Sequence, residues 1–330
     1  GKLRISKNIF IKFISKLSFI FIGVYGTINI QLYNFFKRIP NESNVICAND
    51  GIGFCCLIMK YLLRKKFKIY ILSMGFFSKY FYYNKNLFFY FPKKFLINFL
   101  LKKCCKILFL GEEELIFFQN LFKRHNSKAK LFRFRIDNVF WKQNFHIKKE
   151  LSPYILFIGN DLMRDYSMVY KIAKSLPNIQ FKIISERFRK IYPKKLKNIT
   201  NFGFNKNQYY ELSDEQLRII IQEAKCLLLP IKNTLQPSGQ SVSLQALACK
   251  TPLIINNYKG FWGREDFKHL HNCFLLKQNA KDEDWVKIID IIFDETKDFH
   301  YLTNNGYIEL IEKYPYEDYL AQWMKIINDN

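Results

Sequence analysis

Short apolar runs alternate with longer stretches of helical spacing along most of the chain. The apolar runs predict buried strands at 44–49, 68–74, 107–111, 130–135, 154–159, 180–185, 225–230, 253–255 and 272–276. Helical spacing predicts helices over 5–38, 51–66, 92–106, 112 onward, 167–175, 213–223, 240–248, 285–293 and 314–327. The aromatic run 88–91 is compatible with a short strand, and Pro92 is expected to open the helix that follows. Regular alternation of strand and helix predicts α/β architecture with parallel, doubly wound sheets.

The polar segment 142–152 separates two such series of strands and helices. The chain has 330 residues, a length that suits two domains. We therefore predict an N-terminal domain over 1–145 and a C-terminal domain over 146–330.

Charge is distributed very unevenly between these two parts. Residues 1–150 carry 28 Lys or Arg and 7 Asp or Glu, a net charge of +21, whereas the whole chain has +24. The same residues hold 24 of the 34 phenylalanines. A basic, aromatic-rich domain indicates an anionic partner, which is a membrane surface, a nucleic acid or an anionic acceptor.

The remaining composition excludes several other classes of protein. The uncharged run 17–30 is shorter than the ~20 residues that cross a bilayer, so we expect a buried or interfacial helix there, with a membrane anchor as the alternative. None of the eight cysteines forms a C-x-x-C pair, which indicates reduced thiols and a cytoplasmic location. The five histidines show no metal-ligand spacing, and no metal site is predicted.

Residues 222–260 contain the clearest candidate for a binding site. An apolar strand is followed by the polar, glycine-bearing segment Asn233–Gly239, and a helix then begins at Gln240. Backbone N–H groups and the helix dipole at such a junction favour an anion. In parallel α/β sheets the ligand is expected at the carboxyl ends of the strands.

The sequence SVSLQALACKTPLII over 241–255 resembles the donor site of retaining glycosyltransferases of family 4, which have the GT-B fold. The family has two glutamates separated by seven residues, but Pro237 and Gln245 stand at those positions here. The resemblance implies that Gln245 holds the ribose hydroxyls, and that backbone amides of Gly239, Gln240 and Ser241 replace part of the missing glutamate's role. Ser238 is included in the implied donor site.

A second segment, GNDLMRDY over 159–166, is similar to the family's glycine-bearing phosphate loop. Arg164 takes the place of the lysine that binds the donor diphosphate, and Gly159 and Asn160 form the start of the loop. A guanidinium suits this role because its fork grips two phosphate oxygens. The alternative is a surface ion pair of Arg164 with Asp161 or Asp165. Segment 136–141 also resembles the family's entry to the interdomain linker, and 198–203 resembles a strand before a base-contacting turn.

This resemblance implies two Rossmann-like domains facing a central cleft, with the final helix packing back on the N-terminal domain. It implies a hexosyltransferase-type enzyme of retaining stereochemistry, with a nucleotide-diphosphate sugar of UDP or GDP type as co-substrate and no metal or other cofactor. The N-terminal domain would bind the acceptor. Asp50, after the first strand, is the candidate catalytic side chain beside Arg164, and its alternative role is to cap the helix at Gly51.

The basic N-terminal domain suits a saccharide or lipid-linked acceptor in cell-surface polysaccharide or glycolipid synthesis. We expect a peripheral protein on the inner face of the cytoplasmic membrane, where lipid phosphates attract Lys65, Lys66, Lys93, Lys94, Lys102 and Lys103. The loss of both glutamates leaves open a catalytically inactive nucleotide-sugar-binding module. A nucleic-acid partner is not favoured, because the sequence has no recognition module.

Overall fold

A computed structural model describes residues 35–83, 87–143, 152–192, 196–202 and 212–329. The chain divides into two compact units. Unit 1 comprises the chain up to Phe132 together with Leu235–Pro237 and Trp323 onward, and unit 2 comprises Arg133–Thr234 and Ser238–Gln322. The division after Phe132 precedes the polar segment 142–152, where the sequence predicts the boundary. The predicted helix over 5–38 lies outside the described residues except for its last turn.

Unit 1 contains a parallel sheet whose four strands are neighbours in chain order. The strands are β1 (Asn44–Cys47), β2 (Lys68–Ser73), β3 (Lys106–Phe109) and β4 (Ala129–Leu131). The helices between them are α1 (Asp50–Leu62), α2 (Leu87–Leu101) and α3 (Glu112–Leu121), with a π-helical turn at Ser78–Tyr83 and a 3₁₀ turn at Lys123–Lys128. All four strands therefore end at one edge of the sheet, from which α1 and α3 begin.

Helix α2 corrects the expectation for the aromatic run 88–91. That run is helical, and Pro92 lies inside α2 instead of opening it. Proline in a helix interior removes one backbone hydrogen bond. The buried side chains of Ile97, Leu100 and Leu101 compensate for that loss by packing α2 into the core.

Phenylalanine rings form much of the core of unit 1. Phe77 is fully buried, and its ring lies 4.8 Å from Phe118, 5.7 Å from Phe109 and 5.7 Å from Phe122 between centroids. Edge-to-face contacts such as those with Phe118 and Phe122 add about 0.5–1.5 kcal/mol per pair beyond the buried area. Part of the phenylalanine excess therefore has a structural role.

Unit 2 contains a six-stranded parallel sheet in the order β10-β9-β8-β5-β6-β7. Its strands are β5 (Tyr154–Ile158), β6 (Gln180–Ile184), β7 (Ile199–Asn201), β8 (Cys226–Leu229), β9 (Leu253–Asn256) and β10 (Phe274–Leu276). Its helices are α4 (Tyr166–Ser175), α5 (Glu186–Ile191), α6 (Asp214–Glu223), α7 (Gln240–Ala248), α8 (Asp282–Phe293) and α9 (His300–Lys313), and α10 (Glu317–Asn328) follows. The strand order reverses between β5 and β8. This reversal creates a crevice at the carboxyl ends of the two strands.

Two helices of unit 2 are absent from the sequence predictions, namely α5 and α9. Helix α9 contains Gly306, which weakens its helical pattern. A Cβ atom at this glycine would lie 2.8 Å from Leu247 Cδ2 and 3.0 Å from the carbonyl oxygen of Asn272. Close packing of α9 on α7 therefore requires glycine, and tertiary contact outweighs the local preference.

Helix α6 begins with the capping box that the sequence predicts at Ser213. The Ser213 hydroxyl accepts from the N–H of Gln216 at 3.2 Å, and the Gln216 side chain accepts from the N–H of Ser213 at 2.8 Å. Ser213→Ala is expected to lower the free energy of unfolding by about 1 kcal/mol, because the Gln216 N–H loses its side-chain acceptor. Urea denaturation measures this change. Ser175→Ala, at the exposed end of α4, is the control and should have almost no effect.

All eight cysteines are free thiols, and all except Cys105 are buried. Within the described ranges, no helix is long and apolar enough to span a bilayer. The apolar run 17–30 lies outside those ranges.

Candidate functional site

Two segments of unit 2 meet at the crevice between β5 and β8. The first is the loop 159–165 after β5. The second comprises residues 230–234 and 238–239 of the loop after β8, whose middle residues Leu235–Pro237 belong to unit 1. The Asp165 N–H donates to the Pro230 carbonyl at 2.9 Å, and the Lys232 N–H donates to the Met163 carbonyl at 2.8 Å. These backbone bonds hold the two loops in a fixed register.

Arg164 lies at the centre of this junction and is 4% exposed. Its Nη1 donates to Ser238 Oγ at 3.2 Å, and its Nε lies 3.2 Å from Asp161 Oδ2. Ser238 Oγ also lies 3.0 Å from both carboxylate oxygens of Asp161. Of the two ion pairs that the sequence left open, the structure contains Arg164–Asp161. Asp165 instead caps α4, where its side chain accepts from the Met168 N–H.

Glycines on both loops make room for the guanidinium. A Cβ atom at Gly159 would lie 2.3 Å from Arg164 Nε, and one at Gly239 would lie 2.9 Å from Arg164 Nη1. Gly239 also has φ +85°, in the left-handed region that favours glycine. The two glycines therefore determine where the cation lies.

Gly239→Ala is expected to destabilise unit 2 by about 1–2 kcal/mol, since alanine is strained at positive φ. It should also weaken anion binding, because the new methyl group displaces Arg164. Thermal unfolding and nucleotide titration of the same variant measure the two effects. An unchanged nucleotide affinity would show that the position of Arg164 is unimportant for binding.

Helix α7 begins at this junction, and Gly239 provides no side-chain cap for it. Gln240 is buried at the first position. Ser241 and Gln245 are four residues apart and half-buried, so their side chains share one accessible face of α7. The arrangement combines a helix N-terminus, a fixed cation and two neutral polar side chains, which together suit an anion bearing hydroxyl groups.

Asn160 connects the first loop to α5. Its side-chain oxygen lies 3.2 Å from Ser185 Oγ and 3.3 Å from the Arg187 N–H, and Arg187 Nε donates to its carbonyl at 3.1 Å. Thus Arg187 is a second cation that the sequence analysis did not identify. The sequence feature that could have identified Arg187 is its position just after β6, because the carboxyl ends of the parallel strands form the edge where the two loops lie.

Two buried tyrosines donate hydrogen bonds to backbone carbonyls of the two loops. Tyr166 donates to the Asp161 carbonyl at 2.7 Å, and Tyr258 donates to the Ser238 carbonyl at 2.6 Å. Burial raises the pKa of Tyr166 to about 12 and also raises the pKa of Tyr258, so both remain protonated donors at neutral pH.

In unit 1, Asp50 is also at the carboxyl edge of the sheet. It is 6% exposed, and its Oδ2 accepts from the Met74 N–H at 2.7 Å. Asn49, not Asp50, caps α1 through its side chain, which accepts from the Ile52 N–H at 2.9 Å. The capping role that the sequence allowed for Asp50 is therefore filled by its neighbour.

Glu114, in the first turn of α3, is fully buried and interacts electrostatically with Asp50. Its Oε1 accepts from the Ser78 N–H at 3.0 Å. Asp50 Oδ1 and Glu114 Oε2 have no hydrogen-bond partner within the described part of the chain. From the sequence, Glu114 belongs only to the start of the helix predicted from 112 onward. Its spacing from the buried Phe118 and Phe122, four and eight residues on, is the signal that it faces the core.

Burial raises the pKa of both carboxyl groups. It raises that of Asp50 to about 6, opposed by the hydrogen bond from Met74. It raises that of Glu114 to about 8, and the charge of Asp50 adds to the increase. At neutral pH Asp50 is therefore largely ionised while Glu114 largely keeps its proton.

Residues 140–309 match the family model described as glycosyl transferases group 1. This match covers 170 of the 330 residues, which is more than half of the chain. The chain belongs to this family. No curated protein matches it in a sequence search.

Solved structures with the same fold include several glycosyltransferases. HepE from Anabaena in complex with UDP has a TM-score of 0.66 and 11% identity, and the match covers 91% of this chain and 82% of HepE. Sucrose-phosphate synthase from Thermosynechococcus elongatus has a TM-score of 0.67 and 14% identity, with coverage of 87% and 73%. The pneumococcal O-GlcNAc transferase GtfA in complex with UDP and GlcNAc has a TM-score of 0.62 and 13% identity, with coverage of 90% and 59%. These similarities show that this group 1 chain has the GT-B fold that the sequence predicts.

In this group 1 glycosyl transferase, Pro237 and Gln245 stand where the sequence analysis expects glutamates. Gln245 keeps an accessible amide on α7, whereas Pro237 offers no polar side chain. Among the described residues, no group of three His, Cys, Asp or Glu side chains is arranged to hold a metal ion. Cations at this loop junction include Arg164 and, on the carbonyl of Asn160, Arg187.

Proposed function

We propose that this protein transfers a hexose from a nucleotide-diphosphate sugar of UDP or GDP type to a saccharide or lipid-linked acceptor, with retention of configuration. The observation that carries the proposal is the buried Arg164, held between Asp161, Ser238 and the left-handed Gly239 at the start of α7. Asp161 already balances one positive charge here, and the N-terminus of α7 beside Arg164 adds backbone N–H groups that a diphosphate can accept from. The family membership supports the reaction class.

In the proposed reaction the bond between the anomeric carbon and the diphosphate oxygen breaks. Arg164 and the N-terminus of α7 stabilise the negative charge that develops on the leaving diphosphate. The acceptor oxygen then bonds to the anomeric carbon on the same face, and its proton passes to a base. Asp50 is our candidate for that base, because it lies at the carboxyl edge of the unit 1 sheet and is largely ionised at neutral pH.

The other donor-site residues are proposed to hold the nucleotide. The Gln245 amide can donate to and accept from the ribose hydroxyls, which replaces the carboxylate of the expected glutamate with a neutral group. Amides of Gly239, Gln240 and Ser241 face the phosphates, and Gly159 and Asn160 form the opposite wall. Arg187, on the carbonyl of Asn160, adds a second positive charge at the sheet edge.

We further propose that the acceptor belongs to cell-surface polysaccharide or glycolipid synthesis. Unit 1 would bind this acceptor while the protein associates with the inner face of the cytoplasmic membrane. The support is the concentration of positive charge and phenylalanine in residues 1–150.

A thermal-shift screen against UDP, GDP, ADP, CMP and their sugars tests the donor site. A ligand that binds only the folded protein at 100 times its Kd stabilises it by about 2.7 kcal/mol. One nucleotide class should raise the midpoint, and millimolar ligand with no shift in any class would contradict the proposal. Product analysis with the responding sugar and lipid-linked acceptors then tests transfer.

A catalytically inactive nucleotide-sugar-binding module is the second candidate. It is favoured by Pro237, which leaves the donor sugar without the carboxylate of the expected glutamate. Binding of the nucleotide sugar without product on any acceptor, and without slow hydrolysis of the donor, would select this alternative. Gln245→Glu, which introduces the expected carboxylate, should then still produce no transfer.

A further inference from the structure

Helix α2 exposes four phenylalanines in a single row. Phe88, Phe91, Phe95 and Phe99 are 80%, 65%, 76% and 37% exposed. Their spacing of three or four residues places them on one face of the helix. We call these four residues the aromatic row.

The opposite face of α2 is apolar as well. Ile97, Leu100 and Leu101 on that face are buried in the core of unit 1. A surface helix normally has a polar outer face, whereas a helix that is apolar on all sides lies in a core or a membrane. The aromatic row therefore has the composition of a face that contacts something other than water.

Cations border the aromatic row, and the groove beside it has no carboxylate in its lining among the described residues. A groove of about 570 Å³ lies beside it, lined by Phe91 and Phe95 together with Lys94, Asn98, Asn120, Leu121, Phe122, Lys123 and Arg124. The three cations in this lining face no acidic side chain in it. In the sequence, residues 51–111 hold twelve Lys or Arg and no Asp or Glu.

The structure revises which lysines face outward. Lys93 is 6% exposed, and its Nζ lies 4.6 Å above the Tyr80 ring, so it packs inward and not toward a partner. Lys65 donates to the Ile39 carbonyl at 3.0 Å. Lys102 and Lys103 are exposed in the turn directly after α2.

We infer that the aromatic row and its basic groove dock on a bilayer containing anionic lipids, with α2 lying in the plane of the interface. Phenylalanine rings enter the boundary between headgroups and acyl chains, while Lys94, Lys123 and Arg124 meet lipid phosphates. This inference rests on the proposed peripheral membrane location and assigns it to one surface.

Charge selects the lipid surface over a second copy of the chain. A symmetric dimer through the aromatic row would place two carboxylate-free, basic surfaces opposite each other, which is unfavourable. A nucleic acid also offers phosphates, but the row provides only hydrocarbon rings and no side chain that reads a base edge. A bilayer satisfies both the apolar row and the cations.

Vesicle co-sedimentation tests the docking surface. The full chain should bind vesicles of phosphatidylcholine with 30% phosphatidylglycerol, and binding should weaken at high salt and with phosphatidylcholine alone. Phe88→Ser, Phe91→Ser and Phe95→Ser combined should reduce the partition coefficient at least tenfold. Lys94→Glu, Lys123→Glu and Arg124→Glu combined should reduce it at least as strongly.

Matched variants on unit 2 and α10 provide the controls. Tyr301→Ser, Leu320→Ser and Met324→Ser remove three exposed apolar side chains, and Lys171→Glu, Lys174→Glu and Lys287→Glu reverse three exposed charges. Both control sets should bind vesicles almost like the wild type. Equal loss in test and control variants would overturn the inference, as would full binding by the phenylalanine variant.

Two further measurements separate the alternatives. Sedimentation velocity tests self-association: if that is all the phenylalanine variant loses, the occupant is a second copy of the chain and not a membrane. If duplex DNA binds at the groove and vesicles do not, the occupant is a nucleic acid. The nucleotide-induced thermal shift should be the same in the wild type and the phenylalanine variant. Vesicle binding without any nucleotide response would refute the donor site and leave the docking surface intact.

Discussion

Arg164→Ala is expected to weaken binding of the donor nucleotide about 100-fold. Hydrogen bonds to a charged group contribute about 1.5–3 kcal/mol each, and 1.4 kcal/mol is a factor of ten in affinity. Arg164 is 4% exposed, so water replaces its guanidinium poorly after truncation. Removing it also leaves the carboxylate of Asp161 beside the phosphates without its cation.

Arg164→Lys distinguishes charge from geometry. Lysine keeps the positive charge but has no planar fork, and we expect roughly tenfold weaker binding. Lys171→Ala on the exposed face of α4 removes an equal charge from unit 2 and is the control. Isothermal titration with the responding nucleotide measures all three. If Arg164→Ala and Lys171→Ala bind equally well, the phosphates are held elsewhere.

The wild-type protein is expected to lose much of its stability as the pH becomes alkaline, and Glu114→Gln should prevent most of this loss. The folded-state pKa of Glu114 is raised to about 8 from 4.5, because the group is buried beside Asp50. Between these two values the folded state binds a proton that the unfolded state has released. Stability therefore falls as pH rises from about 4.5 to about 8, and the penalty is complete above that range.

The size of this penalty follows from the shift in pKa. One pKa unit corresponds to 1.36 kcal/mol, so a shift of this size costs on the order of 3–5 kcal/mol at pH 8.5. Asp50 contributes in the same direction, since its pKa is raised to about 6 from 3.8. Its penalty develops between those values and is complete at neutral pH.

Urea denaturation at pH 5.5 and pH 8.5 measures the difference. The wild type should lose several kcal/mol between the two conditions, whereas Glu114→Gln should lose much less, because its amide does not ionise. Glu112→Gln removes a carboxylate from the same first turn of α3, but an exposed one, and should follow the wild type. Identical pH slopes for all three proteins would show that Glu114 does not keep its proton in the folded state.

Several helices of unit 2 were predictable because capping residues, glycines and apolar spacing within a few residues of one another indicate where they begin and end. The helix over 240–248 is found at Gln240–Ala248, since glycine punctuation and apolar spacing agree there. The capping box at Ser213 depends on residues three apart and is also confirmed. Prediction failed where distant contacts outweigh local preference. Helix α9 accommodates Gly306 by packing on Leu247, and α2 continues through Pro92 because its inner face is buried.

The candidate site shows the same division between local and tertiary information. The sequence by itself determined that a cation and a glycine-bearing loop stand at strand ends, because motif spacing and turn chemistry are local properties. Only the tertiary structure decided that Arg164 pairs with Asp161, that Glu114 is buried beside Asp50, and that Lys93 packs inward while Phe95 is exposed. Pairing, burial and pKa depend on which side chains the folded chain brings together across long sequence separations. The sequence specifies such neighbours only through the complete fold.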